Sequence, residues 1–93
     1  MTDELKGRIA LAAEALKKAG AREVYLFGSA AAGRLSENSD IDMAVSGLPP
    51  QQFLRAMGQA SRALRRPVDL VDLDETNEFT QYLKKKGALL RVA

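Results

Sequence analysis

Two aspartates one residue apart, in the stretch "FGSAAAGRLSENSDIDMAV" from Phe27 to Val45, are the strongest chemical signal in this 93-residue chain. Successive strand residues point to opposite faces, so in a strand Asp40 and Asp42 project together while Ile41 points the other way. Their Cα atoms would lie about 6.5 Å apart, at about 3.3 Å per residue. Like charges that close repel, and partial burial makes each harder to ionise. A divalent cation shared between them removes both penalties. A third carboxylate is offered by "VDLVDL", where Asp69 shares a strand face with Val71 and Leu73. Flanked by Val68 and Leu70, it is the acid of that segment most in need of a partner, whereas Asp72 and Asp74 read as turn or cap residues.

Gly28-Ser29 lies ten residues ahead of Asp40. A Gly-Ser turn that opens a helix presents free backbone N–H groups and a hydroxyl, which suits phosphate oxygens. No Gly-Lys-Ser/Thr follows, so this is not a Walker loop, and the dinucleotide-binding glycine pattern is also missing.

The composition narrows the chemistry. With no cysteine and no histidine, thiolate zinc sites, cysteine nucleophiles and imidazole bases are excluded. A metal held by this chain must be hard and oxygen-ligated, meaning magnesium, manganese or calcium, and the paired aspartates point to Mg²⁺ brought in with a nucleotide. The net charge of +2 says little about partners. The apolar fraction of 46% and charged fraction of 28% suit one soluble domain over residues 1–93. An acidic, amphipathic start and the lack of a long apolar run lead to the expectation of a cytoplasmic protein away from membranes.

The elements that would position these residues follow from periodicity. Leu5, Ile9, Ala12, Ala13 and Leu16 predict a helix over 3–19 closed by Gly20. "EVYLF" predicts a strand at 23–27, followed by a brief helix from Ser29 and a polar loop over 34–39. A second strand is expected at 40–45. A helix over 50–65 follows, with Phe53, Leu54, Met57, Ala60 and Leu64 inward. The third strand is expected at 68–73. Asp74 or Thr76 would cap a last helix running to Lys86, and "ALLRV" would add a short edge strand. Tyr25 reads as core and Tyr82 as a helix-face residue. The class is α/β or α+β, with a small mixed sheet of three to four strands flanked by helices.

The ordered set Gly28-Ser29, Asp40-x-Asp42 and a later strand aspartate, Asp69, resembles the DNA polymerase beta-like nucleotidyltransferase superfamily. Within it, the short length and the wording "GSAAAG", "SDIDMAV" and "VDLV" resemble the minimal nucleotidyltransferases, close to the MntA-type antitoxins of prokaryotes. The resemblance runs from the first helix to "KKKGALL". It implies a Mg²⁺-dependent enzyme that moves a nucleoside monophosphate, AMP from ATP, onto a hydroxyl. The acceptor it implies is a tyrosine of a HEPN-type toxin partner. Asp40, Asp42 and Asp69 would be the catalytic and metal-binding residues, with Gly28 and Ser29 on the nucleotide. Nucleic acid is not expected as a direct partner, whereas homo- or hetero-oligomers are.

One departure stands out: the family often has arginines after Gly-Ser, and Ala30-Ala31-Ala32 stand here, with Arg34 the nearest cation in sequence. The alternative reading is a non-catalytic antitoxin or assembly module that neutralises its partner by binding. Each residue also has a plainer reading. Asp40 and Asp42 could be a solvated strand cap, Gly28-Ser29 an ordinary turn, and Asp69 the partner of Arg65 or Arg66. Arg55, Arg62 and Arg66 on one helical face read first as a solvated surface.

Overall fold

The structure, a computed structural model, describes residues 2–36 and 39–93. It is a mixed α+β fold built on a four-stranded sheet of order β3-β2-β1-β4. The strands are β1 (Glu23–Leu26), β2 (Ile41–Ser46), β3 (Val68–Asp72) and β4 (Leu90–Arg91). The helices are α1 (Asp3–Lys18), α2 (Gly28–Ala32), α3 (Phe53–Leu64) and α4 (Glu78–Lys85), with a 3₁₀ turn at Pro50–Gln52 before α3. β1 runs antiparallel to both β2 and β4, while β2 and β3 are parallel. A parallel pair needs a long crossover, and α3 supplies it.

The period-2 alternation of β2 divides the molecule into two layers. Ile41, Met43 and Val45 are buried against α1 and α3, together with Val24, Leu26, Val68 and Leu70. Ala44 faces the other way and joins Phe27, Leu73 and Leu83 of α4 in a smaller cluster. Phe79 of α4 meets Phe27 edge-on, with ring centroids 5.8 Å apart. Asp42 and Asp69 belong to this second face, beyond the part that α4 covers.

The helix over 50–65 differs in phase from its expectation. Its buried stripe is Ala56, Ala60 and Leu64, with Phe53 and Met57 partly buried beside it, whereas Leu54 is 75% exposed. These small residues share one core cluster with Ala12 and Ala13 of α1, the helix against which α3 packs. A reading that ranks residues by hydrophobic size misses this. Tyr25 is half-buried on the second face rather than a full core residue.

The last helix is capped by Asn77, not by Asp74 or Thr76. The Asn77 side chain accepts from the Thr80 N–H (2.9 Å) and Thr80 Oγ1 accepts from the Asn77 N–H (3.1 Å). The Thr80 hydroxyl donates to the Glu75 carbonyl at 2.7 Å. Such a cap contributes about 1 kcal/mol. Asp74 is used elsewhere: its carboxylate accepts from the Gly47 N–H at 2.7 Å, tying the ends of β2 and β3 together. Asp72 accepts from the Asp74 N–H at 2.9 Å, as a turn residue should. Among the described residues, no helix is long and apolar enough to cross a membrane.

Candidate active site

The N-terminal ends of two strands, β2 and β3, bring the acids together. In the parallel β2–β3 ladder, Asp42 is the register partner of Asp69. Neighbouring strands lie about 4.8 Å apart, so the two side chains leave the same face as direct neighbours. Asp40 precedes β2 by one residue and is exposed, as is Asp69, while Asp42 is partly buried between them.

β1 delivers the Gly-Ser segment to the same place. The ladder with β2 continues past Leu26, because the Phe27 N–H donates to the Asp42 carbonyl at 3.0 Å. Phe27 stays extended, and the chain turns directly into α2 at Gly28, one residue earlier than expected. Gly28 has φ +61, and a Cβ built on it would collide with Asp42 Oδ2 and stand 3.3 Å from Asp42 Cγ. Only glycine permits both the left-handed φ and this approach. The Asp42 carboxylate is thus seated against the first residue of α2.

Phe27 offers no side-chain cap to α2. The first N–H groups of a helix have no intrahelical acceptor, which leaves those of Gly28, Ser29 and Ala30 without one at the end of α2 that meets Asp42. Ser29 is exposed at this corner. Arg34 lies beyond Gly33, at the opposite end of α2. It does not replace a cation in the first turn.

The electrostatics show uncompensated negative charge. Burial, then Asp69, then Asp40 push the Asp42 carboxyl above the usual carboxylate range. The ion pairs among the described residues engage Glu4, Glu14 and Glu23, none at this site. The alternative pairing of Asp69 with Arg65 or Arg66 does not form. Arg66 donates instead to the carbonyls of Ser36 and Ser39.

An all-oxygen, all-anionic donor set beside free amides fits a hard divalent cation carrying phosphate. Among the described residues no three acidic side chains are grouped closely enough to hold a metal ion by themselves. The site is an open rim. A concavity of about 680 Å³ lies elsewhere, between α1 and α3, and holds none of these acids. Periodicity had brought Asp40, Asp42, Asp69, Gly28 and Ser29 into view, and the fold gathers all five at one end of the sheet. Two features were missed: the side-by-side register of Asp42 and Asp69, and the role of Arg66.

This fold is that of a polymerase beta-like nucleotidyltransferase domain. The chain belongs to the polymerase beta nucleotidyltransferase family, whose family model, described as "Polymerase beta, Nucleotidyltransferase", matches residues 11–91. Among solved structures, it is similar to a toxin–antitoxin crystal structure with AMP-PNP. The two are 27% identical with a TM-score of 0.70, covering 85% of this chain and 67% of that one. It is likewise similar to the toxin–antitoxin MntA-HepT, at 25% identity and a TM-score of 0.60 over 85% of this chain and 63% of that one. A proposed minimal nucleotidyltransferase shares the fold over 98% of this chain and 93% of its own, with a TM-score of 0.76 and 21% identity. The chain spans about two thirds of the toxin–antitoxin chains it matches. No curated protein matches it.

Proposed function

We propose that this protein transfers AMP from ATP to a tyrosine hydroxyl of a HEPN-type toxin, and so acts as its antitoxin. The observation that carries the reading is the convergence of Asp40, Asp42 and Asp69 beside the uncapped start of α2. Asp40 and Asp42 would hold a divalent cation, Mg²⁺ or Mn²⁺, on the triphosphate, with Asp69 beside them. When bound, that cation neutralises charge on the phosphates and the leaving group.

The chain's own groups do the rest. The amides of Gly28, Ser29 and Ala30 and the Ser29 hydroxyl grip phosphate oxygens. Asp69, exposed beside the acceptor's approach, takes the proton of the attacking hydroxyl. The acceptor oxygen forms its bond to the α-phosphorus as the bond from that phosphorus to the bridging oxygen breaks, and pyrophosphate departs. Catalysis is positioning and charge stabilisation. The open rim supports a macromolecular partner as the second wall of the site.

The test is transfer of label from ATP to the co-purified partner in the presence of Mg²⁺. Label at the α-phosphate should become covalent on the partner, and label at the γ-phosphate should not. Neutralisation of the partner at one-to-one stoichiometry, without ATP and without transfer, would replace this reading with that of a binding module. The triple alanine in α2 is the feature that favours the module.

A further inference from the structure

The turn from α3 to β3 closes the helix with a left-handed cap at Arg65, whose N–H donates to the Arg62 and Ser61 carbonyls. Arg65 has φ 56 and ψ 30, and it is the one non-glycine with positive φ among the described residues. That region is costly for a residue with a side chain and is usually left to glycine at a helix end. The turn sends Arg66 back across the sheet, where its Nη1 donates to the Ser36 carbonyl at 2.8 Å and the Ser39 carbonyl at 3.3 Å. The two serines are themselves joined. Their hydroxyls lie 2.6 Å apart, the Ser36 N–H donates to Ser39 Oγ at 3.1 Å, and the Ser39 N–H donates to the Ser36 carbonyl at 3.3 Å. One residue further along the same turn, the Pro67 carbonyl accepts from the Ile41 N–H at 3.0 Å.

Asp40 therefore lies between two residues, Ser39 and Ile41, that one turn holds by successive contacts. Three residues after Arg66, the same chain delivers Asp69. We propose that Arg66 is a positioning residue that fixes the backbone at Asp40, so that its carboxylate stays in register with Asp42 and Asp69. Asp42 and Asp69 are secured by the β2–β3 ladder itself. Asp40 sits before the ladder starts and depends on this clamp. The effect on transfer rests on the function proposed above, while the effect on the backbone does not.

The experiment compares Arg66→Ala and Arg66→Lys with the unaltered chain in two measurements. Amide hydrogen exchange, without metal or nucleotide, should speed up about tenfold at Ile41 in Arg66→Ala and stay unchanged at Met43 and Leu70. Mn²⁺ affinity in the presence of ATP should fall about tenfold, the usual scale for groups that orient ligands. Arg66→Lys, which keeps a donor for the carbonyls, should recover most of both. Unchanged exchange at Ile41 would overturn the proposal, as would acceleration spread evenly over the sheet, which is the mark of a purely structural residue. The exchange readout remains decisive even if the unaltered chain binds no Mn²⁺ and transfers no label, and faster exchange at Ile41 with unchanged Mn²⁺ affinity would overturn the claim that the clamp serves the Asp40 carboxylate.

Discussion

Asp42→Asn should abolish nucleotidyl transfer, by a factor on the order of 10³, while making the folded protein more stable at neutral pH. The two effects share one cause. Asp42 is squeezed by burial and by the charges of Asp69 and Asp40, so its folded form holds a proton more readily than the unfolded chain does. A carboxyl raised in this way contributes stability at low pH, and that contribution is lost as pH rises through its folded titration. Asparagine has nearly the same shape and no charge. The melting temperature of Asp42→Asn should therefore exceed that of the unaltered chain at pH 7 to 8. The gap should close as pH falls toward the ordinary carboxylate range, about 4. The gain is modest, because the carboxylate is only partly buried and solvent screens it. Melting curves across pH together with transfer assays check both halves. Equal melting temperatures at every pH would mean that the acids do not strain one another, and retained transfer would remove Asp42 from the mechanism.

Gly28→Ala has the second large expected effect, and its control is built into the same helix. The new Cβ would strike Asp42 Oδ2, on a backbone with φ +61. Gly33, at the other end of α2, has φ +71 with nothing within 4 Å of an added Cβ. Both substitutions incur the backbone cost of about 1–2 kcal/mol, but only the first displaces a carboxylate. Transfer should fall about a hundredfold in Gly28→Ala, the scale set by misplacing a reacting group by about 1 Å. Gly33→Ala should lose only the backbone part of that stability and keep its activity. In an Asp42→Ala background, where the clash has no partner, Gly28→Ala should cost less stability than it does alone. Equal transfer by the two alanine variants would mean that the Gly28–Asp42 approach has no functional role.

Much of this site was legible because its signals are local. Alternation puts Asp40 and Asp42 on one side whatever the strand pairs with, and a Gly-Ser at a strand end marks a turn in any fold. The register of Asp42 against Asp69 was not legible. It arises from a parallel pairing of β2 with β3 across α3, which no local pattern in either strand specifies. Leu54 was read inward because size suggested a core residue, whereas the buried stripe of α3 includes the small Ala56 and Ala60. Asn77 does not stand out in sequence as the cap, because Asp72, Asp74 and Thr76 crowd the positions before it and only the fold shows that Asp74 is engaged by the Gly47 amide. Arg66 is the most instructive miss. An arginine in solvent and one that donates to two backbone carbonyls look alike in sequence, and the nearby Asp69 suggested an ion pair. The carbonyls were the better acceptors because the turn at Arg65 aims the side chain at Ser36 and Ser39.

The central claim is that Asp40, Asp42 and Asp69 share one hard cation with a nucleotide. A titration of Mn²⁺ followed by electron paramagnetic resonance, with and without ATP, tests it most directly. In the unaltered chain, protein and ATP together should bind Mn²⁺ more tightly than ATP alone, and affinity should rise with pH as Asp42 loses its proton. Asp42→Asn should remove the excess over ATP. Identical Mn²⁺ binding in the two proteins, matching ATP alone, would contradict the account and leave the acids without the cation that explains their arrangement.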